Sequence, residues 1–143
     1  GLNSRLDSIQ AAVLLAKFPY LAAWGARRRE IAALYTSAFA GVAGVTPPPV
    51  DPANEHIFHQ YTIRAERREA LLAHLKSSGI GHKVYYPLAL HLQPCFEYLG
   101  VRAGALPITE RATAEGVSLP IYPELTSAQT DAVIAAVREF YQG

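Results

Sequence analysis

Methionine is absent from this chain, and cysteine occurs once, as Cys95. A single thiol excludes an intrachain disulfide framework and fits a reducing, cytoplasmic setting. An open reading frame starts with Met, so a chain without one is expected to be processed, trimmed or a fragment, and a fragment is the favoured reading. Charge is also scarce. Only 17% of the residues are Asp, Glu, Lys or Arg, and 13 basic against 12 acidic residues leave a net charge of +1. That balance argues against general nucleic-acid binding, which normally rests on a basic stripe, and disfavours a nucleic-acid binder using Arg27 to Arg29. Long apolar runs are missing too: none approaches the roughly 18–20 residues of a membrane span, and no signal-peptide pattern opens the chain. No G-x-G-x-x-G or P-loop pattern is present to cradle a phosphate.

What is present is a folding composition. Half of the 143 residues are hydrophobic, enough for one domain that buries roughly two-thirds of its unfolded surface. The opening stretch GLNSRLDSIQAAVLLAKF organises the rest. Ser4 is placed to cap a helix, with Asp7 three residues on in a variant of the capping box. Leu6, Ile9, Val13 and Ala16 recur on one helical face. Pro19 ends that helix near Lys17–Phe18 and serves as the first residue of a second one. The second runs to about Phe39, with Leu21, Trp24, Ile31, Leu34 and Ala38 facing inward. Its three consecutive arginines, Arg27 to Arg29, read as a solvated basic face.

Gly41 and Gly44 stop the helical pattern, and TPPPVDP (Thr46 to Pro52) reads as an extended linker. His56 to Ala65 reads as a strand with Ile57, Tyr61 and Ile63 on one face. A helix follows over about Arg67 to Ser78, with Gly79 as its left-handed cap. His82 to Pro87 reads as a second short strand. Pro94 to Tyr98 and Thr109 to Gly116 read as short helices, and Gly100 and Gly104 mark a loop between them. Val117 to Ile121 is a third strand that Pro120 biases to an edge. Thr126 and Gln129 form a capping box for a last helix with the stripe Val133, Ile134, Val137 and Phe140. This order implies an α+β domain: about three strands, antiparallel, with helices on one face.

The chemistry legible from spacing is limited. His56 and His59 fall on opposite faces of a strand, which argues against a shared metal. His82 and His91 have no Cys or carboxylate cluster beside them, so a zinc site is weakly supported. Cys95 reads as a buried thiol rather than a nucleophile. Asn3, Arg5, Tyr85, Tyr86 and His91 remain as polar groups on loops, where binding residues concentrate. Together they justify a binding surface, and the spacing names no reaction.

GLNSRLDSIQAAVL resembles the G-x-N-x-R-x-x-x-x-Q-A-A stretch of the DegT/DnrJ/StrS sugar aminotransferases, PLP-dependent enzymes of the aspartate aminotransferase superfamily (fold type I). The resemblance continues in order through ARRREIAALY, HIFHQYTIRAERREAL, GIGHKVYYPLALHLQPCF and LPITERATAEGVSLPIYPELTSAQ. It implies the smaller C-terminal domain of such an enzyme: residues 1–45 as lead-in helices contacting cofactor and partner, and 46–143 as the α+β domain. It further implies that the Schiff-base lysine lies upstream and is none of Lys17, Lys76 or Lys83, so that no catalytic residue lies in this stretch. Asn3, with Arg5, would reach the PLP phosphate of the partner subunit in a homodimer. Tyr85, Tyr86 and His91 would contact a nucleotide-linked keto-sugar, with glutamate the amino donor; many members carry His where this chain has Tyr85. The alternatives from other classes are a non-catalytic dimerisation or regulatory module and a PLP-dependent sugar dehydratase.

Overall fold

The computed structural model describes residues 5–143. Among these residues the order is α1 (Ser8–Lys17), α2 (Leu21–Phe39), β1 (Val45–Thr46), β2 (Tyr61–Ala65), α3 (Arg68–Ser77), α4 (Pro107–Glu115), β3 (Gly116–Leu119) and α5 (Ser127–Gln142). The strands form one antiparallel sheet in the order β1-β2-β3. The α+β architecture expected from the sequence is therefore the one observed. Tyr61, Ile63 and Ala65 of β2 enter one core with Ile31 and Tyr35 of α2, Leu71 and Leu75 of α3, and Val133 and Val137 of α5.

Capping explains where the helices begin. The expected cap, Ser4, lies outside the described residues, and the cap of α1 is Asp7. Asp7 Oδ1 accepts the Gln10 N–H at 2.8 Å while Gln10 Oε1 accepts the Asp7 N–H at 3.4 Å. The box is complete because Asp caps as well as Ser and Gln stands three residues on. The same reciprocal pair, Thr126 with Gln129, starts α5 as expected. Gly79 turns the chain out of α3 with φ +70°, a conformation that glycine adopts without strain.

Pro19 does not open α2. It sits in a single 3₁₀ turn, Phe18–Tyr20, that carries α1 into α2 almost without a break. The resulting helical stretch, Ser8–Phe39, is long and apolar enough by length and composition to match a membrane-crossing helix, which corrects the expectation that nothing here reaches that length. Its second half is nevertheless committed to the protein interior: Ile31, Ala32, Tyr35 and Phe39 are fully buried against the sheet and α5. Leu21 and Leu34, expected inside, are exposed; Leu34 is 48% exposed. The buried stripe is rotated by about one residue because two aromatics, Tyr35 and Phe39, supply more buried area than Leu34. The Tyr35 ring packs at a tilt against Tyr61 with centroids 5.1 Å apart, and its hydroxyl donates to Pro120 O at 2.9 Å.

The predicted strand from His56 is five residues too long. His56 Nδ1 accepts the Phe58 N–H at 2.9 Å, and Phe58 takes φ +47°. That turn breaks the alternation, so Phe58 is buried and Ile57 is exposed, the reverse of the expected phase. Thr46, the first residue of the expected linker, and Val45 before it form β1 and pair with β2 opposite Arg64 and Ala65. Between His82 and Pro87 there is one bridge, Lys83 to Ser118, rather than a strand. β3 ends at Leu119, ahead of Pro120, at the sheet edge that Pro120 favours.

α1 contributes no residue to the core. Leu6, Ile9, Val13, Leu14, Leu15 and Phe18 are all exposed, Ile9 at 79%. A contiguous apolar surface of this kind drives association. Sedimentation velocity on the chain is expected to show concentration-dependent self-association that Ile9→Glu with Leu15→Glu reduces. A strict monomer at high concentration would contradict this.

Candidate functional site

Arg27 and Arg28 of α2 are structural clamps rather than part of the solvated face that the run suggested, while Arg29 makes a surface ion pair. Arg28 Nη1 donates to Ile121 O at 2.8 Å, Phe58 O at 3.3 Å and His59 O at 3.4 Å. Arg27 Nη2 donates to Leu125 O at 3.0 Å, and Arg29 pairs with Glu55 at 2.9 Å. The carbonyls that Arg28 and Arg27 take lie where the chain enters β2 and leaves β3, beyond the last ladder bonds. A guanidinium presents several donors in a rigid fork and can serve carbonyls from more than one segment. Nothing in the linear sequence marks those carbonyls as available.

The segments held by Arg28 wall a cavity of about 590 Å³ lined by His59, Gln60, His82, Lys83, Tyr85 and Ser118, among others. His82 Nδ1 lies 3.1 Å from Ile80 O. A carbonyl only accepts, so Nδ1 carries the proton and fixes the tautomer. Lys83 N–H donates to Ser118 O at 3.1 Å and Ser118 N–H returns a bond to Lys83 O at 2.8 Å. The Ser118 hydroxyl meets that of Thr62 at 2.8 Å. Residues 83 and 118 therefore fasten the cavity floor to the sheet. On the other side of Arg28 and His59 lies an apolar cleft of about 500 Å³ containing Leu21, Trp24, Ile57 and Tyr122.

The candidate site residues do not converge on one place. Tyr85 lines the first cavity. Tyr86 packs edge to face against Tyr85 at 6.1 Å and is 72% exposed. His91 is buried and lines a different cavity, with Glu97 and Arg102. Its Nε2 donates to Glu110 Oε1 at 3.0 Å. Glu110 also accepts the N–H groups of Gly104 at 2.9 Å and Leu106 at 3.2 Å. The Gly104 amide first, and then Leu106 and His91, hold the Glu110 carboxyl below the usual carboxylate range. His91 thus stabilises the 100–106 loop through Glu110. Arg5 is exposed ahead of α1, and Asn3 lies outside the described residues. Cys95 is exposed rather than buried. Among the described residues, no three His, Cys, Asp or Glu side chains gather as a metal site.

With this geometry in view, the comparisons with known proteins are decisive about kinship. The model of the DegT/DnrJ/EryC1/StrS aminotransferase family matches residues 1–138. The chain belongs to that family. One relative, the pleiotropic regulatory protein of Geobacillus stearothermophilus, is 50% identical over 99% of this chain and 39% of its own length. The dTDP-3-amino-3,4,6-trideoxy-alpha-D-glucose transaminase of Streptomyces venezuelae is 41% identical, over 98% of this chain and 37% of its own. The crystal structure of S. venezuelae DesV in complex with a ketimine intermediate superposes with a TM-score of 0.95 at 40% identity. That match covers all of this chain and 38% of DesV. A family aminotransferase from Brucella abortus gives a TM-score of 0.91 at 38% identity, over 100% of this chain and 38% of its own. This DegT-family chain thus spans under two-fifths of the length of these relatives.

Two outcomes test the local geometry. Arg28→Met leaves carbonyls without a donor and is expected to destabilise the fold by about 1.5–3 kcal/mol in urea unfolding. Because the folded Glu110 carboxyl titrates below its unfolded value, its contribution is full above the ordinary glutamate range and is lost as pH falls through the depressed value. Amide exchange at Gly104 and Leu106, corrected for intrinsic rates, is expected to lose protection on that acidification. In Glu110→Gln the protection is expected to be lower at neutral pH and flat with pH.

Proposed function

We propose that this chain is the C-terminal part of a PLP-dependent aminotransferase that aminates a nucleotide-linked keto-sugar, with glutamate as amino donor. The product class is an amino sugar for polysaccharide, lipopolysaccharide or natural-product assembly, and a cytoplasmic setting fits the single thiol. The observation that carries the reading is the family match over residues 1–138 together with the DesV superposition over the whole chain. Residues 1–45 act as lead-in and partner-contacting segment and 46–143 as the small domain.

The residues fit a share of the PLP site. Arg5 is exposed, and a guanidinium suits a phosphate. Asp7 already accepts the Gln10 amide at the start of α1, and Arg5 and the amide of Asn3 are the donors that this reading gives to the phosphate. In this reading none of Lys17, Lys76 and Lys83 is the Schiff-base lysine, and that link belongs to the remainder of the protein. PLP supplies the electron sink for moving the amino group. In this reading Asn3 and Arg5 hold its phosphate across a homodimer interface, while Tyr85 and Tyr86 position the sugar. The buried His91 acts on the sugar site indirectly, by holding its loop.

A second reading is favoured by the Geobacillus relative, whose name describes a pleiotropic regulator: a regulatory module using the same fold. The full-length protein distinguishes the two. The aminotransferase reading expects a bound-cofactor absorbance, glutamate-dependent amination of a dTDP- or UDP-linked keto-sugar, and weakened cofactor retention in Asn3→Ala. A full-length protein that dimerises but neither retains PLP nor aminates any such sugar supports the regulatory reading instead.

A further inference from the structure

We infer that α1 is a docking surface for a second copy of this chain, packing antiparallel on α1 of that copy about a two-fold axis near Ala12 and Val13. This goes beyond the homodimer of the proposed function, which leaves the pairing of α1 open, and it stands on the residues of α1 alone. Helical periodicity puts Ile9, Val13 and Ala16 along one face. Leu6, Ile9, Gln10, Val13 and Leu14 together wall an apolar groove of about 380 Å³. Leu15 lies roughly opposite Val13 on the helix and is not part of that groove. Leu6, Ile9, Val13 and Leu14 are all exposed, and none of α1 enters the core.

Charge decides what covers this face and in which direction. α1 carries two charged side chains, Asp7 at its N-cap and Lys17 in its last turn, and both are exposed. Among the described residues neither takes part in an ion pair. They stand about 15 Å apart along the helix axis, too far to pair within one chain. An antiparallel second α1 brings Lys17 to the partner's Asp7, and two-fold symmetry repeats the pair at the other end. The Asp7 carboxylate accepts the Gln10 N–H through Oδ1 and keeps lone pairs for an ammonium. A parallel arrangement would instead set like charges side by side at both ends, and the helix dipoles would oppose it as well. The face is therefore complementary to itself, which is what a two-fold interface requires.

The test uses the chain itself, with no cofactor and no turnover. Because α1 gives no residue to the core, substitutions on it leave the fold in place. Cys95→Ser removes the exposed native thiol, and single cysteines on α1 then report the register under oxidising conditions. Val13→Cys, near the axis, is expected to form a disulfide with itself. Ile9→Cys is expected not to, because antiparallel pairing sets its two copies about 10 Å apart along the axis, beyond disulfide reach. Mixed with Ala16→Cys, it is expected to form the heterodisulfide. In sedimentation, Val13→Glu is expected to be monomeric and Leu15→Glu to associate like the parent. Lys17→Gln is expected to weaken association about fivefold, the loss of two exposed ion pairs per dimer. The inference is overturned if Ile9→Cys cross-links to itself as readily as Val13→Cys, which is the parallel arrangement. It is equally overturned if Leu15→Glu weakens association as much as Val13→Glu, if Lys17→Gln associates as tightly as the parent, or if the chain is a strict monomer, which assigns the face to a different protein. Failure of the aminotransferase reading would leave these cross-links intact, and their absence would leave the turnover assay untouched.

Discussion

The fold depends on the Arg28 guanidinium reaching three backbone carbonyls that no strand can pair. β2 and β3 are short, and the chain leaves the ladder at Gln60 on one side and at Pro120 on the other. Partly buried carbonyls at such ends cost free energy unless a donor meets them. Arg28 meets them from α2, and in doing so it locks the helix to both strand ends at once. Arg27 repeats the device at Leu125 O, just ahead of α5. The cavity walls are therefore as rigid as the helix that clamps them.

That clamp also divides the first helical stretch into two halves with different employment. From Ile31 onward, α2 is packed into the core through Tyr35 and Phe39. Before it, α1 and the turn at Pro19 present apolar side chains to solvent. A surface so apolar costs about 25 cal/mol for each Å² left wet, which gives the stretch a strong reason to be covered by protein. Arg5 sits at the far end of this uncovered segment, and Tyr85 and Tyr86 sit on the clamped domain. The two share no cavity among the described residues.

Much of the fold was legible in local chemistry. The Thr126–Gln129 box, the Gly79 turn and the edge position of β3 all follow from interactions within a few residues of the amino acids that announce them. The misplacements have a common origin in distant partners. Leu34 reads as inward until Tyr35 finds Tyr61 and Pro120 across the core. His56 to Gln60 reads as strand until Phe58 turns inward beneath α2. His82 to Pro87 reads as a strand, yet only Lys83 pairs with the sheet, at Ser118 of β3. The candidate site residues do not gather in one place: His91 bonds Glu110, nineteen residues on, and lines a cavity apart from Tyr85.

The sequence by itself determined the α+β class, the Thr126–Gln129 cap, the Gly79 turn and, through an ordered series of motifs, the aminotransferase kinship. Those properties are carried by contacts between near neighbours or by residue identity alone. Only the tertiary structure decided which side of α2 is buried and that Arg27 and Arg28 are clamps. Each of those depends on where a side chain's reach ends, and that is set by segments some thirty to ninety residues away.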